Sequence, residues 1–354
     1  MKALVLSGGT GTRLRPLSYS MPKQLIPVAN KPVLEHVLEN IRDLGVVEIG
    51  MIVGDRAPEI TRAIGDGSRF GARITYITQD EPLGLAHCVT LAEEFLGDED
   101  FVMYLGDNLL PDGIADIARE FATGRPEAQV VVCKVFDPSS FGVAELDEHG
   151  AVLRLVEKPH EPKSDLALIG VYFFTQAIHE AVAAIGPSAR GELEITDAIQ
   201  WLVGRGAEVK ATEYGGYWKD TGSVDDVLEG NRQLLDRLRP AVLGEIDHAS
   251  VLIGPVIVEP GARVLRSTIE GPAIIGAGTV VADSRVGEHT SLGRDCVLSG
   301  TSIGNSVVLD GSTLSGIPEL RDSLIGRSVS IGAADRGTCH RLVLGDHTHV
   351  RIAA

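Results

Sequence analysis

The residues best placed to do chemistry stand near the start of the chain. Gly8-Gly-Thr-Gly-Thr-Arg-Leu14 follows the apolar run Lys2-Ala-Leu-Val-Leu-Ser7, and Pro22-Lys-Gln24 comes a few residues later. Glycines let a backbone approach a phosphate closely and aim N–H groups at it. Arg13 and Lys23 add the cationic charge, which a loop that only turns has no use for. The loop is therefore read as an anion cradle at the end of a strand. A dinucleotide-binding loop requires a third glycine and an acidic residue roughly 20 positions on. Here Arg13-Leu14 replaces that glycine, and Val28-Ala-Asn-Lys-Pro32 holds no acid, which argues against nicotinamide binding.

Two carboxylates follow strand-like runs far apart in sequence: Asp107 in Leu105-Gly-Asp-Asn108, and Asp220 in Trp218-Lys-Asp-Thr-Gly222. Either alone is explained as a cap or turn residue. If the two converge near the cradle they form a Mg²⁺ site, because Mg²⁺ is commonly held by one or two carboxylates plus substrate phosphates and water. Glu157-Lys-Pro159 sets an acid beside a base, and an extended, bulged backbone ahead of the proline would let both reach one ligand; for the tripeptide alone an exposed charged turn is the favoured reading. Gln79, ahead of Gly84, offers the donor–acceptor pair a pyrimidine edge needs. The run from Arg190 to Asp197 is read as a capped helix start.

Composition narrows the partners. The net charge of −17 over 354 residues argues against nucleic acid, which needs a basic face. Four cysteines without C-x-x-C spacing and no signal peptide point to a reduced, cytoplasmic setting, and no apolar run reaches membrane-spanning length.

These residues need elements to position them. Strand-like runs at 3–7, 48–53, 73–78, 101–105 and 129–135 alternate with helix-period segments at 32–44, 58–64, 85–95 and 113–121. That alternation predicts an α/β doubly wound, mostly parallel sheet with ligands at the carboxyl ends of the strands. A β-rich stretch over 141–175, with a hairpin turn at 147–150, precedes helices at 195–203 and 224–237. Lysine disappears after Lys219, and from about 246 a new period begins. Leu252, Val258, Val264, Ile269, Ile275, Val280, Val286, Leu292, Val297, Ile303, Val308 and Leu314 recur every five or six residues. This hexapeptide beat predicts a parallel β-helix, with an inserted loop at 316–322 and a capping tail after 335. The expected domains are 1–240 and 245–354.

The ordered set Gly8-Gly-x-Gly-Thr-Arg-Leu, Pro22-Lys-Gln, Gly84-Leu-Ala86, Leu105-Gly-Asp-Asn108, Phe141-Gly-Val143, Glu157-Lys-Pro159, Gly191-Glu-Leu-Glu-Ile-Thr-Asp197 and Trp218-x-Asp-x-Gly222 resembles the sugar-1-phosphate nucleotidylyltransferases over about 240 residues. Within that family it is most similar to the members that transfer a thymidylyl group, in their long form with a hexapeptide-repeat tail. The resemblance implies a Rossmann-like mixed sheet of the nucleotide-diphospho-sugar transferase fold, followed by a left-handed parallel β-helix. It implies an Mg²⁺-dependent transfer from dTTP, with UTP as an alternative donor, onto glucose 1-phosphate. The product would be an activated sugar for deoxysugar, polysaccharide or antibiotic glycoside synthesis.

By that resemblance Arg13, Lys23 and Asp107 are catalytic. Leu6, Gly8, Gly9, Thr10, Gly11, Arg13, Gln24, Gln79, Gly84 and Asn108 bind the nucleotide. Gly142, Glu157, Lys158, Leu168 and Tyr172 bind the sugar phosphate, and Asp107 with Asp220 binds the metal. Phe141 stands where relatives often have Tyr. A homo-oligomer is also implied. Two other readings concern the tail. A uridylyltransferase carrying a second, N-acetyltransferase activity shares this layout, but the tail lacks lysine and any basic cluster for coenzyme A. Cys339-His340 with His347 and His349 matches no zinc spacing and is read as a polar cap on the last coil.

Overall fold

The computed structural model describes residues 1–9, 11–148, 150–335 and 341–353. It forms two compact units that do not divide at residue 240. One comprises residues 1–9 and 33–220, the other 10–32 and 221–354. Among the described residues no helix is long and apolar enough to cross a membrane.

The first unit is built on a mixed sheet. Its strands are β1 (Lys2–Leu6), β2 (Glu48–Val53), β3 (Arg73–Thr78) and β4 (Phe101–Leu105), then β6 (Ala128–Lys134), β7 (Gly142–Leu146), β8 (Val152–Glu157), β9 (Leu166–Phe174) and β10 (Val209–Glu213). A short strand β5 (Asn108–Leu109) lies outside it. The order runs β8-β7-β9-β4-β1-β2-β3, with β6 joining β9 to β10. β1 pairs in parallel with β2 and β4, while β9 is antiparallel to β4 and β6. β1 is buried on both faces after Lys2, as a central parallel strand requires.

Helices occupy all six expected places, at α1 (Val33–Asp43), α2 (Ala57–Ile64), α3 (Leu85–Leu91), α4 (Ala115–Gly124), α6 (Ile195–Gly204) and α7 (Val224–Leu235). In α1 the buried residues are Val33, Leu34, Val37, Leu38 and Ile41, one stripe of a 3.6-residue period. The sequence reading did not find α5 (Ala177–Ala184), an alanine-rich helix whose preceding residue, Gln176, makes no side-chain cap. The 195 helix is not capped as expected either. Glu194 precedes it without capping it, and instead bonds Ser188 and Arg190.

In the second unit a β-helix begins at Ala241–Val242. Its strands stack into three parallel sheets, and the aliphatic side chains between them form one apolar column. Stacked partners are seventeen residues apart in the first turns, Val264 beside Val281 and Val281 beside Leu298. The inward step is six, six, then five. Val281 and Leu298 are therefore fully buried, not the expected Val280 and Val297, and Val297 is 41% exposed. One corner is closed by a hydroxyl ladder: Ser250 Oγ accepts from Ser267 N, Ser267 Oγ from Ser284 N, and Ser284 Oγ from Thr301 N.

The interruption expected at 316–322 is absent. Ile317 and Leu320 are buried in the column, and Leu320–Arg321 extends the third sheet. The last turn also continues the coil, with Val343–Leu344 and His349–Ala353 added to two sheets.

Candidate active site

In the first unit the parallel strands deliver their carboxyl ends to one edge. Leu6 is in register with Leu105, so Gly8 and Gly9 after β1 neighbour Gly106 and Asp107 after β4. The Gly106 amide donates to Leu6 O at 2.9 Å, extending that pairing by one step. Gln79 follows β3 and reaches back across the edge. A Cβ on Gly8 would lie 3.2 Å from its Oε1, and its Nε2 lies 3.4 Å from Gly84 O and 3.2 Å from His87 Nδ1. Gly84 has φ +107°, and a Cβ there would collide with the Leu193 backbone. Its glycine is accounted for by that close chain approach.

Asp107 and Asp220 are brought together by a two-strand ladder. β11 (Lys219–Asp220) pairs antiparallel with β5, setting Asp220 opposite Asn108. Asp107 is 8% exposed and Asn108 3%. The Trp218 indole donates to Asn108 Oδ1 at 2.9 Å, and Phe141 meets Trp218 edge-on with centroids 5.3 Å apart. Phe141 thus serves as a packing wall, a role that needs no hydroxyl. Gly170 has φ +76°, and a Cβ there would strike the Asn108 amide. It lies where β9 slips register between Leu168 and Tyr172.

A second cluster forms around Glu157. A Cβ on Gly142 would stand 2.8 Å from Leu168 Cδ1, 2.8 Å from Thr196 Cγ2 and 3.2 Å from Glu157 Oε2. Thr196 Oγ1 donates to Glu157 Oε2 at 3.2 Å. Lys158 Nζ lies 3.7 Å and Arg190 Nη1 3.4 Å from Glu157 Oε1. Glu157 and Lys158 do share a side, but not through an extended backbone: Lys158 is left-handed at φ +41°. Burial, with the Glu157 charge nearby, pushes the Tyr172 phenol well above its ordinary range. Burial also raises Glu194, and the neighbouring Glu157 charge adds to that effect.

The sequence reading did not assign Thr196, Arg190 or Gly170 to a site. A lone glycine in the apolar run Leu166–Phe174 was the available signal for Gly170, since such glycines mark bulges or close approaches. Thr196 and Arg190 were hidden by a helix-start reading adequate in itself.

In the second unit the cationic segment is a chain of short turns. Arg13 is exposed on the turn Thr12–Leu14, anchored by buried Leu14. Gly11 has φ +64°, and a Cβ there would sit 3.0 Å from Lys23 Cβ. Only a glycine lets those two strands of the loop approach so closely. Gln24 is 1% exposed, and among the described residues its buried Oε1 has no hydrogen-bond partner. Thr10, Cys339 and His340 lie outside the described residues, and His347 and His349 are exposed.

A family model described as nucleotidyl transferase matches residues 2–237. A glucose-1-phosphate thymidylyltransferase of Streptomyces griseus is 55% identical over 355 residues, covering 100% of both chains. One from Streptomyces antibioticus is 54% identical, covering 99% of each. Among solved structures, a Bacillus anthracis protein in complex with sucrose, provisionally named a glucose-1-phosphate thymidylyltransferase, superposes with a TM-score of 0.62. It is 35% identical, over 65% of this chain and 94% of its own.

Proposed function

The chain belongs to the nucleotidyl transferase family, and from that membership we propose that it transfers the thymidylyl group of dTTP to α-D-glucose 1-phosphate. A phosphate oxygen of the sugar attacks the α-phosphorus, a new P–O bond forms, and the α–β bridging bond breaks to release pyrophosphate. Full-length similarity to two thymidylyltransferases supports the substrates. The observation that carries the site reading is the pairing of Asp220 with Asn108 beside Asp107.

Phosphoryl transfer depends mostly on positioning and on neutralising charge. In this reading Gly8, Gly9, Thr10 and Gly11 cradle the triphosphate, Arg13 receives the leaving pyrophosphate, and Lys23 stands at the α-phosphate with Gln24 beside it. Leu6, Gln79, Gly84 and Asn108 hold the nucleoside. Glu157 accepts hydroxyl hydrogens of the hexose against the floor formed by Gly142, Leu168 and Tyr172, and Lys158 pairs with the sugar phosphate. The sugar phosphate is already an ionised nucleophile, so the chain needs no general base.

Asp107 and Asp220 suit a divalent cation. Both offer hard oxygen donors from neighbouring positions, with Asp220 opposite Asn108 in the ladder. That fits Mg²⁺, which takes its remaining ligands from phosphates and water. Bound there, Mg²⁺ supplies charge neutralisation for the triphosphate.

The test is pyrophosphate release by purified protein with dTTP, UTP, ATP, GTP and CTP, each crossed with glucose-, glucosamine- and mannose-1-phosphate. Highest kcat/KM with dTTP and glucose 1-phosphate is expected. Release only with ATP or GTP would overturn the assignment.

A further inference from the structure

We propose that the β-helix is a splint for the cationic segment 11–32, and that Arg327, Asp346 and Asn231 are positioning residues for nucleoside triphosphate binding. The inference rests on the reading above that Arg13 and Lys23 handle the triphosphate. It goes further in giving the tail a part in that handling.

The segment is fastened to the rest of the second unit at two places on either side of Lys23. At the first, Arg327 Nη2 donates to Ser20 O at 3.1 Å. The same guanidinium is held by Asp346 Oδ2, at 2.9 Å from Nε and 2.6 Å from Nη2, and the Arg327 amide donates to Oδ1 at 2.8 Å. The Asp346 side chain is only 2% exposed. A Cβ on Gly345 would stand 3.6 Å from Pro16 Cβ, so the backbone of the coil's last turn lies directly against the segment. A buried carboxylate accepting from Nε and Nη2 fixes the guanidinium plane, which aims the second Nη2 hydrogen at Ser20 O.

At the second place the segment ends in a two-residue hairpin, Pro27–Val28 paired with Lys31–Pro32. Ala29 and Asn30 at its tip are both left-handed, at φ +49° and +61°, as a tight primed turn demands. The Ala29 amide donates to Asn231 Oδ1 at 2.8 Å, and Asn30 Nδ2 donates to Leu292 O at 2.6 Å. Asn231 is itself 1% exposed and tied to the coil: its Nδ2 donates to His289 O at 3.0 Å, and its Oδ1 accepts from Ser291 Oγ at 2.8 Å. One buried amide therefore joins α7, the coil and the hairpin tip.

A turn-rich segment with no regular element longer than three residues has little rigidity of its own. Cations that must sit on a polyphosphate need theirs fixed by something outside the segment. Two clasps on a repeat-built column provide that, and they give a tail without catalytic motifs a part in holding the nucleoside triphosphate.

The test compares wild type with Arg327→Ala, Arg327→Lys and Asn30→Gly in the full-length chain. Asn30→Gly removes one bond from the second clasp while keeping a residue at ease with positive φ, so it guards against a misfolded first variant. Amide hydrogen exchange over residues 12–28 is expected to quicken in Arg327→Ala and Asn30→Gly, with the coil amides of 256–315 unchanged. The KM for dTTP should rise roughly tenfold in Arg327→Ala, the scale of one charged hydrogen bond, while that for glucose 1-phosphate stays within about twofold. Arg327→Lys should restore part of the dTTP KM. Unchanged exchange over 12–28, or equal shifts in both KM values, would overturn the proposal. A wild type that releases no pyrophosphate from dTTP would instead refute the substrate reading, and the exchange data alone would then decide the docking.

Discussion

A carboxylate held by three donors is preorganised yet able to exchange one partner for a ligand. Glu157 is in that position, with Thr196, Lys158 and Arg190 around it, so its orientation is set before any hexose arrives. Glu157→Gln keeps the shape and loses the charge. The KM for glucose 1-phosphate should rise by roughly 10- to 100-fold, the range of a hydrogen bond to a charged acceptor. The KM for dTTP should stay within about twofold, and steady-state kinetics with each substrate varied in turn separates the two. Asp107 and Asp220 make a sharper case, because in the reading above they hold the cation that offsets the triphosphate charge. Asp107→Asn and Asp220→Asn should each lower kcat by about 10²-fold or more, and a Mg²⁺ titration should require a higher concentration for half-maximal rate. Both residues were legible in sequence, since each follows a strand-like run. Their adjacency was not, because the ladder between β5 and β11 has too few residues to leave a periodic trace.

Periodicity serves elements well when it is long and poorly when a pattern is one step out. The α/β alternation gave the central strands within a residue or so, because a strand buried on both faces reads as an unbroken apolar run. The coil was legible for a related reason: its beat repeats many times. Its phase was harder. A uniform choice between five and six places Val280 and Val297 inside, whereas the seventeen-residue stacking puts Val281 and Leu298 there. Adjacent valine, alanine and leucine residues make the alternatives almost equally apolar, so composition cannot choose between them. Substitution can. Leu298→Ala should cost about 2–5 kcal/mol of stability as a buried deletion, while Val297→Ala should fall within about 0.5 kcal/mol. Thermal or denaturant unfolding of the two variants checks this, and equal losses would mean the column is threaded differently.

At the scale of the whole molecule, the bond between Arg327 and Ser20 joins positions 307 residues apart, a relation that sequence patterns cannot carry without a repeat or motif spanning it. The expected domain boundary followed composition and placed residues 10–32 with the sheet. Compactness groups them with the coil because the clasps lie there. The buried carboxylate in one clasp makes the arrangement sensitive to acid. Burial opposes ionisation of Asp346, but hydrogen bonds from Arg327 and Ser20 and the Arg327 charge outweigh it, leaving its folded value below the ordinary 3.8. A depressed carboxylate contributes stability that is complete above the unfolded value and disappears as pH falls through the folded one. Wild type should therefore exceed Asp346→Asn in melting temperature by a constant margin at pH 7, 6 and 5. The margin should narrow below pH 3.8, where protonation removes from the wild type the charge the variant already lacks. Melting curves of both proteins across that range provide the measurement, and a margin that widened on acidification would mean the Asp346 carboxylate is destabilising in the folded chain.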